Sequence, residues 1–162
     1  MEPKQKALET LDRLGVKYEV TDHEPVYTIE DMDNLQITAL GDVCKNLFLR
    51  DDKGRRHFLV VLDKGKSADI KSIQQQLECT RLSFGSDDRL DKCMQLKKGE
   101  VSPLGIINDN EKKVEIVLDK DLVGKERLGF HPNVNTSTVW ISFDGLRKVI
   151  EASGHSIKYV SI

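Results

Sequence analysis

The chain has 162 residues, a length that fits one domain with a core of its own. Hydrophobic residues make up 38% and charged residues 32% of it, which argues against both a disordered chain and a membrane protein. The formal net charge of −2, from 25 basic and 27 acidic residues, lacks the basic excess of proteins that coat long nucleic acids. A local basic patch that binds a few phosphates stays compatible with it.

The first third of the chain predicts two helices and a strand. Apolar residues at helical spacing predict a helix near residues 4–14, which Gly15 ends. Alternating residues over 16–20 predict a strand. Thr28, followed three residues later by Asp31, resembles a capping box that opens a short helix.

A hairpin and two more helices are predicted next. Residues 46–50 and 57–62 flank DDKGRR, and this pattern indicates two strands joined by a glycine-containing turn. The second strand is continuously apolar, so we expect it in the centre of the sheet. Ser67 and Ser86 are predicted to cap the two helices, with a short strand at 81–84 between them.

The C-terminal part predicts three strands and a helix. A strand covers 113–119, a turn leads into a strand that ends near Ser142, and a helix stopped by Gly154 precedes a last strand within 155–162. Hairpins and crossovers both occur, and we find no linker or repeat. We therefore predict a single α/β domain over 1–162 with a mixed sheet.

The sequence contains no segment that indicates secretion, membrane insertion or a metal site. No apolar run approaches the roughly 20 residues that a spanning helix needs, and the N-terminal residues predict an amphipathic helix without a signal-peptide segment. The three cysteines, Cys44, Cys79 and Cys93, form no CxxC pair. The four histidines form no close pair suited to a metal. We expect a cytoplasmic protein without a cofactor.

The common catalytic signatures are also missing. The chain has no phosphate-binding loop, no GxGxxG, no HExxH and no G-x-S-x-G nucleophile elbow. Cys44 with His131 or His23 is a conceivable nucleophile pair, but a free cysteine at a strand entrance is more often a small core residue. We therefore favour a reaction without a metal or a covalent intermediate.

Two segments place polar or flexible residues where a site can form. Lys45 and Asn46 stand at the mouth of an apolar strand, where loop-borne sites are often built. In the segment 99–105, GEVSPLG, Gly99 permits a positive φ and Pro103 stiffens the exit. Its backbone amides can therefore point together at an oxyanion or a carbonyl group.

A third and a fourth segment are rich in polar side chains. His131, Asn133, Asn135 and Thr136 directly precede a strand, where they can bind a small polar substrate. His23 lies in a comparable stretch, DHEPVYT. Each of these segments by itself is equally compatible with ordinary turn chemistry.

Taken together, the segments resemble the YbaK/prolyl-tRNA-synthetase-associated domain family. The chain matches its pattern over essentially the whole length in DHEPVYTIED, DVCKNLFLRDDKGRRHFLVVL, KGEVSPLGI and FHPNVNTSTVWIS. It is most similar to the free-standing ProX/PrdX-like branch, whose characterised members are alanyl-tRNA(Pro) deacylases. The resemblance implies a mixed, strongly curved, barrel-like sheet surrounded by helices, and hydrolysis of the aminoacyl ester at the 3′ end of tRNA.

The resemblance also implies roles for single residues. Lys45 matches the signature lysine, expected to face the terminal adenosine or its phosphate. Gly99 to Pro103 match a G-x-x-x-P loop whose backbone amides hold the ester, and His131 matches a histidine beside the pocket. The predicted catalytic residues are Lys45, Gly99, Ser102, Pro103 and His131, and the predicted substrate-binding residues are His23, Thr28, Asn46, Val101, Gly105, Asn135 and Thr136.

Basic residues near these motifs are predicted to touch the acceptor stem. They are Lys53, Arg55 and Arg56 on the hairpin turn, and Lys97 and Lys98 before the segment 99–105, called the glycine loop below. The alternative is that these residues are ordinary solvated surface. The expected partners are the acceptor end of tRNA(Pro) and prolyl-tRNA synthetase, and we expect a monomer without a membrane contact.

Editing is physically sensible because a pocket shaped for proline cannot exclude the smaller alanine. Each missing methylene weakens binding by only about 1–3 kcal/mol, so a second, hydrolytic site is needed to correct the error. The ester is already activated, so water can attack it, helped by amide donors and by the neighbouring ribose 2′-hydroxyl. Two alternatives stay open, namely a deacylase for cysteinyl-tRNA(Pro) or another small amino acid, and a non-catalytic tRNA- or synthetase-binding module.

Overall fold

Most helices begin at a residue whose side chain caps the first turn. A computed structural model describes all 162 residues. The Thr28 hydroxyl accepts the Asp31 N–H at 3.0 Å while the Asp31 carboxylate accepts the Thr28 N–H, which confirms the predicted capping box. The five α-helices are α1 (Pro3–Arg13), α2 (Ile29–Asn34), α3 (Ile70–Leu77), α4 (Asp87–Met94) and α5 (Phe143–Ala152).

The predicted caps of the two middle helices have different outcomes. Ser86 caps α4 as expected, because its hydroxyl accepts the Arg89 N–H. The prediction for Ser67 is wrong, since α3 is capped by Asp69, whose carboxylate accepts the Ser72 N–H at 3.1 Å. A turn closed by the Lys66 N–H on the carbonyl of Asp63 precedes Ser67, and residues 67–69 stay outside any helix before α3 begins at Ile70.

The strands form one open mixed sheet. Their order is β1-β7-β6-β2-β3-β5-β8, with β4 added to β2. Pairs β2–β3, β1–β7, β6–β7 and β2–β4 are antiparallel, whereas β2–β6, β3–β5 and β5–β8 are parallel. The eight strands are β1 (Glu19–Asp22), β2 (Asp42–Arg50), β3 (His57–Asp63), β4 (Ser83–Phe84), β5 (Val114–Asp119), β6 (Leu128–Phe130), β7 (Ser137–Ile141) and β8 (Ile157–Val160).

The topology confirms the mixed α/β class but not the barrel-like part of the prediction. Strands β1 and β8 each have one neighbour and largely exposed residues, so the sheet does not close on itself. β3 lies between β2 and β5 with every residue but Asp63 buried, as its apolar run predicted.

Two strand boundaries differ from the sequence patterns for reasons that lie in tertiary contacts. β1 starts later than predicted because Val16 closes the turn that follows α1, where its N–H bonds to the carbonyl of Leu11 and its side chain enters the core. β6 was not predicted at all. It has three residues and forms because β2 and β7 flank it, with Val43 opposite Gly129.

The packing around β2 prepares the site. A small apolar cluster joins α2 to β2 and β7 through Met32, Val43 and Trp140, next to the main core between the sheet and α5. The segment after α4 ends in a 3₁₀ helix, Pro103–Asn108, that packs on α4 and α5. None of the helices is long and apolar enough to cross a bilayer.

Candidate active site

A small cavity opens where α2, the start of β2, the glycine loop and the end of β6 meet. Its volume is about 280 Å³. Two larger and more polar hollows elsewhere hold none of the predicted site residues. The cavity is lined by Tyr27, Thr28, Ile29, Met32, Val43, Cys44, Lys45, Asn46, Leu47, Gly99, Val101, Gly129, Phe130 and His131.

The cavity brings together half of the predicted catalytic and substrate-binding residues. Those on its wall are Lys45, Gly99, His131, Thr28, Asn46 and Val101. The other six, Ser102, Pro103, Gly105, His23, Asn135 and Thr136, do not line it.

Lys45 is the one lysine or arginine on the cavity wall. β2 carries Lys45 as the fourth of its nine residues, opposite Leu62 of β3, with a half-buried side chain. Its ammonium takes part in none of the ion pairs or side-chain hydrogen bonds of the molecule, whereas six other lysines form ion pairs, namely Lys4, Lys66, Lys92, Lys113, Lys125 and Lys158. A compact charge without a partner is available to bind an anionic or ribose oxygen.

The glycine loop presents main-chain donors that no protein group uses. Gly99 has a φ of 90°, which L-residues rarely adopt. The N–H groups of Gly99, Val101 and Ser102 donate to no acceptor within the protein, whereas the Glu100 N–H closes a turn on the carbonyl of Lys97. Unpaired amides beside a cavity suit the stabilisation of a developing oxyanion.

Buried contacts hold the end of this loop. The Ser102 hydroxyl accepts the Leu104 N–H at 3.2 Å and so caps the 3₁₀ helix, in which Pro103 is the first residue. Gly105 is packed so closely that an added Cβ would lie 2.6 Å from Leu96 Cδ1. The amide of Asn46 donates to the carbonyl of Val101 at 3.3 Å. These residues therefore support the loop from behind.

His131 is held in one neutral tautomer. Its Nδ1 lies 3.1 Å from the carbonyl of Ser137 and must donate to it, which leaves Nε2 as an acceptor. Burial lowers the pKa of His131 and the neighbouring His23 acts in the same direction, while the Ser137 carbonyl opposes them. The cavity wall thus carries an uncharged imidazole at neutral pH.

His23 lies behind His131, with the two ring centres 6.4 Å apart. Its Nδ1 faces the carbonyl of Glu24 at 2.8 Å and its Nε2 faces the Thr138 hydroxyl at 2.9 Å. The loop after β6 is fastened to this region through its main chain, since the carbonyl of Asn135 accepts from Val26 N–H and that of Thr136 accepts from His23 N–H.

Acidification should destabilise the fold through His131. Its folded pKa lies below the about 6.5 of an unfolded histidine, so the unfolded chain takes up the proton first. Its contribution to the free energy of unfolding is therefore complete above about pH 6.5 and is lost as the pH falls through the folded pKa. Urea unfolding measures the free energy of unfolding at about pH 7.5 and at about pH 5. The decrease between the two pH values should be smaller for His131→Asn than for wild type. An equal loss in both proteins would contradict the assignment, and the other buried histidines cancel in the comparison.

Cys44 lines the cavity but lacks the lowered thiol pKa that a nucleophile needs. Its side chain is buried, and burial, reinforced by the carboxylates of Asp63 and Asp42, raises the pKa of the thiol well above its usual range. This confirms the interpretation of Cys44 as a core residue. No three His, Cys, Asp or Glu side chains come close enough to hold a metal ion.

The predicted tRNA-binding residues separate into two groups. Lys97 and Lys98 are exposed and directly precede Gly99 at the cavity. The hairpin turn lies at the opposite end of β2, about 16 Å from Lys45 at about 3.3 Å per residue. There Lys53 and Arg55 are exposed.

Arg56, the third basic residue of the turn, already has a partner. Its guanidinium makes two bonds of 2.9 Å to Glu115 and lies over the ring of Phe58. A tRNA contact at this turn stays a prediction.

Sequence patterns missed several residues of the site. Tyr27 stands on the cavity wall with 68% of its surface exposed, next to the loop of Gly99. Met32 and Phe130 supply apolar wall. The signal for Met32 is the capped helix α2, whose fourth residue faces inward, whereas nothing local marks Phe130, since β6 itself is invisible in the sequence.

Fold and site together define a class of protein. An α/β domain carries a small cavity with unpaired amide donors, a free ammonium and a neutral imidazole, which suits hydrolysis of an activated ester by water. The family model described as the aminoacyl-tRNA editing domain matches residues 23–149. The chain therefore belongs to the aminoacyl-tRNA editing domain family and is a hydrolase of the aminoacyl-tRNA ester.

Particular relatives agree with this assignment. The chain is 45% identical over its whole length to the prolyl-tRNA editing protein ProX of Acetoanaerobium sticklandii, of which it covers 99%. It is 31% identical over 91% of its length to the prolyl-tRNA synthetase associated domain-containing protein 1 of Danio rerio, of which it covers 81%. A crystal structure of a proposed trans-editing enzyme for prolyl tRNA synthetase shares the fold, with a TM-score of 0.74 at 15% identity over all of this chain and 99% of that one.

Proposed function

We propose that the protein hydrolyses alanine that has been attached in error to tRNA(Pro), releasing alanine and the free tRNA. The observation that carries the proposal is the size of the cavity beside Lys45 and Gly99, about 280 Å³. Sites that bury drug-sized ligands span about 300–1,000 Å³, so this one fits an aminoacyl group better than a whole nucleotide. The relative from Acetoanaerobium sticklandii is a prolyl-tRNA editing protein, which supports tRNA(Pro) as the tRNA of the substrate.

The reaction needs only groups that line the cavity and the substrate itself. Water adds to the ester carbonyl carbon, and the negative charge that develops on the carbonyl oxygen is met by the amides of Gly99 and Val101. The intermediate then collapses, and the bond to the ribose oxygen breaks as that oxygen takes up a proton. His131 Nε2 accepts the proton of the attacking water and returns it to the leaving ribose oxygen, while the neighbouring ribose 2′-hydroxyl accepts a hydrogen bond from that water and positions it.

Lys45 contributes charge in this scheme. Its ammonium binds a ribose or phosphate oxygen of the terminal adenosine and so fixes the ester against the loop. Asn46 and Thr28 line the same wall and bound the space left for the amino acid.

The rest of the tRNA end lies outside the cavity. Tyr27 offers an exposed ring at the rim, and its N–H is fixed by the Asp31 carboxylate at 2.9 Å. A nucleobase that stacks on such a ring gains about 1–3 kcal/mol. In this proposal Lys97 and Lys98 bind the neighbouring phosphates, and Lys53 and Arg55 bind a more distant part of the acceptor stem.

Esters of three small amino acids on the same tRNA test the substrate. We expect single-turnover hydrolysis of alanyl-tRNA(Pro) to be faster than that of cysteinyl- or seryl-tRNA(Pro), because the small cavity has an apolar wall formed by Ile29, Met32, Val43 and Phe130. Each rate is compared with the spontaneous hydrolysis of the same ester. Faster hydrolysis of the cysteinyl ester would show that cysteinyl-tRNA(Pro) is the preferred substrate. If none of the three esters is hydrolysed faster than it decays spontaneously, the proposed deacylase activity is wrong.

A further inference from the structure

Two asparagine side chains reach the glycine loop from two different elements. The amide of Asn46, on β2, donates to the carbonyl of Val101, and the amide of Asn133, in the loop after β6, donates to the carbonyl of Leu104, each at 3.3 Å. Because a carbonyl can only accept, both side chains must turn their NH₂ groups to the loop. Both side-chain oxygens are then buried without a partner.

Asn133 destabilises the folded state relative to a glycine at the same position. Its φ is 61°, a left-handed conformation that glycine adopts without strain. Its side chain is 1% exposed, and a buried amide oxygen without a donor destabilises the folded state. A residue that served only to make this turn would be better replaced by glycine.

The position of Asn133 explains what the side chain does instead. It lies two residues after His131, and its bond ends on Leu104, whose N–H is held by the Ser102 hydroxyl. One hydrogen bond therefore connects the loop that carries the imidazole with the loop that carries the unpaired amides. Displacing reacting groups by about 1 Å can slow an enzyme roughly 10²-fold.

We propose that Asn133 is a positioning residue that fixes the amides of Gly99 to Ser102 relative to His131, and that it serves the rate of ester hydrolysis more than the stability of the fold. This inference rests on the proposed ester hydrolysis at the same cavity. It does not depend on which amino acid the ester carries.

The test replaces Asn133 with glycine, which keeps the left-handed backbone and removes the bond. We expect kcat for alanyl-tRNA(Pro) to fall roughly 10²-fold while KM changes by less than about threefold, because substrate still binds to Lys45 and the apolar wall. Asn133→Asp should show the same fall in kcat, since a carboxylate cannot donate to the carbonyl of Leu104.

Asn108→Ala is the matched control. Asn108 donates its amide to the carbonyl of Met94 at 3.1 Å from the other end of the same 3₁₀ helix, and it lies outside the cavity. Its loss should lower Tm at least as much as Asn133→Gly does and leave kcat unchanged. In a Gly99→Ala background, the loss from Asn133→Gly should shrink, because both changes act on one loop.

Three results would overturn the proposal. They are an unchanged kcat in Asn133→Gly, a fall in kcat equal to that of Asn108→Ala, or full additivity with Gly99→Ala. If wild type proves inactive on alanyl-tRNA(Pro), the proposed substrate fails by itself, and the same variants are then compared on the aminoacyl ester that wild type does hydrolyse.

Discussion

Replacing Lys45 with alanine should lower kcat/KM for the mischarged tRNA by roughly 10- to 150-fold. This corresponds to the about 1.5–3 kcal/mol that a hydrogen bond to a charged group contributes. The loss should be this large because Lys45 is the only lysine or arginine on the cavity wall and its ammonium has no partner inside the protein. Single-turnover deacylation over a range of protein concentrations measures it.

Two further lysine variants separate charge from side-chain loss. Lys45→Arg keeps a cation but exchanges a compact charge for a planar fork, so it should recover part of the activity. Lys71→Ala removes an exposed lysine on α3, away from the cavity, and should behave as wild type. Wild-type kcat/KM in Lys45→Ala would show that the ammonium does not act on the substrate.

Gly99→Ala should lower kcat by about 10²–10³-fold, the loss seen when a well-aimed oxyanion donor is removed. Alanine disfavours the φ of 90°, which favours a shift of the loop, and its Cβ would lie 3.0 Å from Tyr27 Cδ1, which displaces the exposed Tyr27 ring. The free amides of Gly99 and Val101 would move with the loop. Measurement of kcat with saturating protein isolates this effect from binding.

Gly124→Ala is the control for backbone strain. Gly124 has a φ of 83°, and an added Cβ would meet nothing within 4 Å. Both variants should lose about 1–2 kcal/mol of the free energy of unfolding, because both force an L-residue into the left-handed region. Only Gly99→Ala should lose kcat. Equal kcat in the two variants would show that the glycine loop takes no part in the reaction.

The elements that local chemistry specifies could be predicted from the sequence. The capping box at Thr28, the cap at Ser86 and the apolar run of β3 are each encoded within a few residues. Ser67 shows the limit, because two good caps, serine and aspartate, stand two residues apart and no local pattern decides between them. β6 could not be predicted, because its three residues form a strand only between β2 and β7.

The site could be predicted in part for a similar reason. Lys45, Gly99 and His131 belong to motifs, and the fold brings all three to one cavity. Asn133 and Tyr27 depend on distances across the molecule, to Leu104 and Gly99, that no local pattern contains.

The basic hairpin turn shows that residues close in sequence to the site can lie far from it in space. Its charges are close to Lys45 in sequence, yet β2 is extended, so they end up at the far end of the strand. Nearness along the chain was therefore a poor guide to nearness in space.

The central claim is that the cavity selects an ester by its size, and one comparison tests it most directly. Hydrolysis of alanyl-tRNA(Pro) and of correctly charged prolyl-tRNA(Pro) is measured with the same wild-type protein and the same tRNA. Extra methylenes that overfill a site disfavour binding by about 1–3 kcal/mol, so the alanyl ester should be hydrolysed roughly 5- to 150-fold faster. Equal acceleration of the two esters would contradict a cavity that excludes proline.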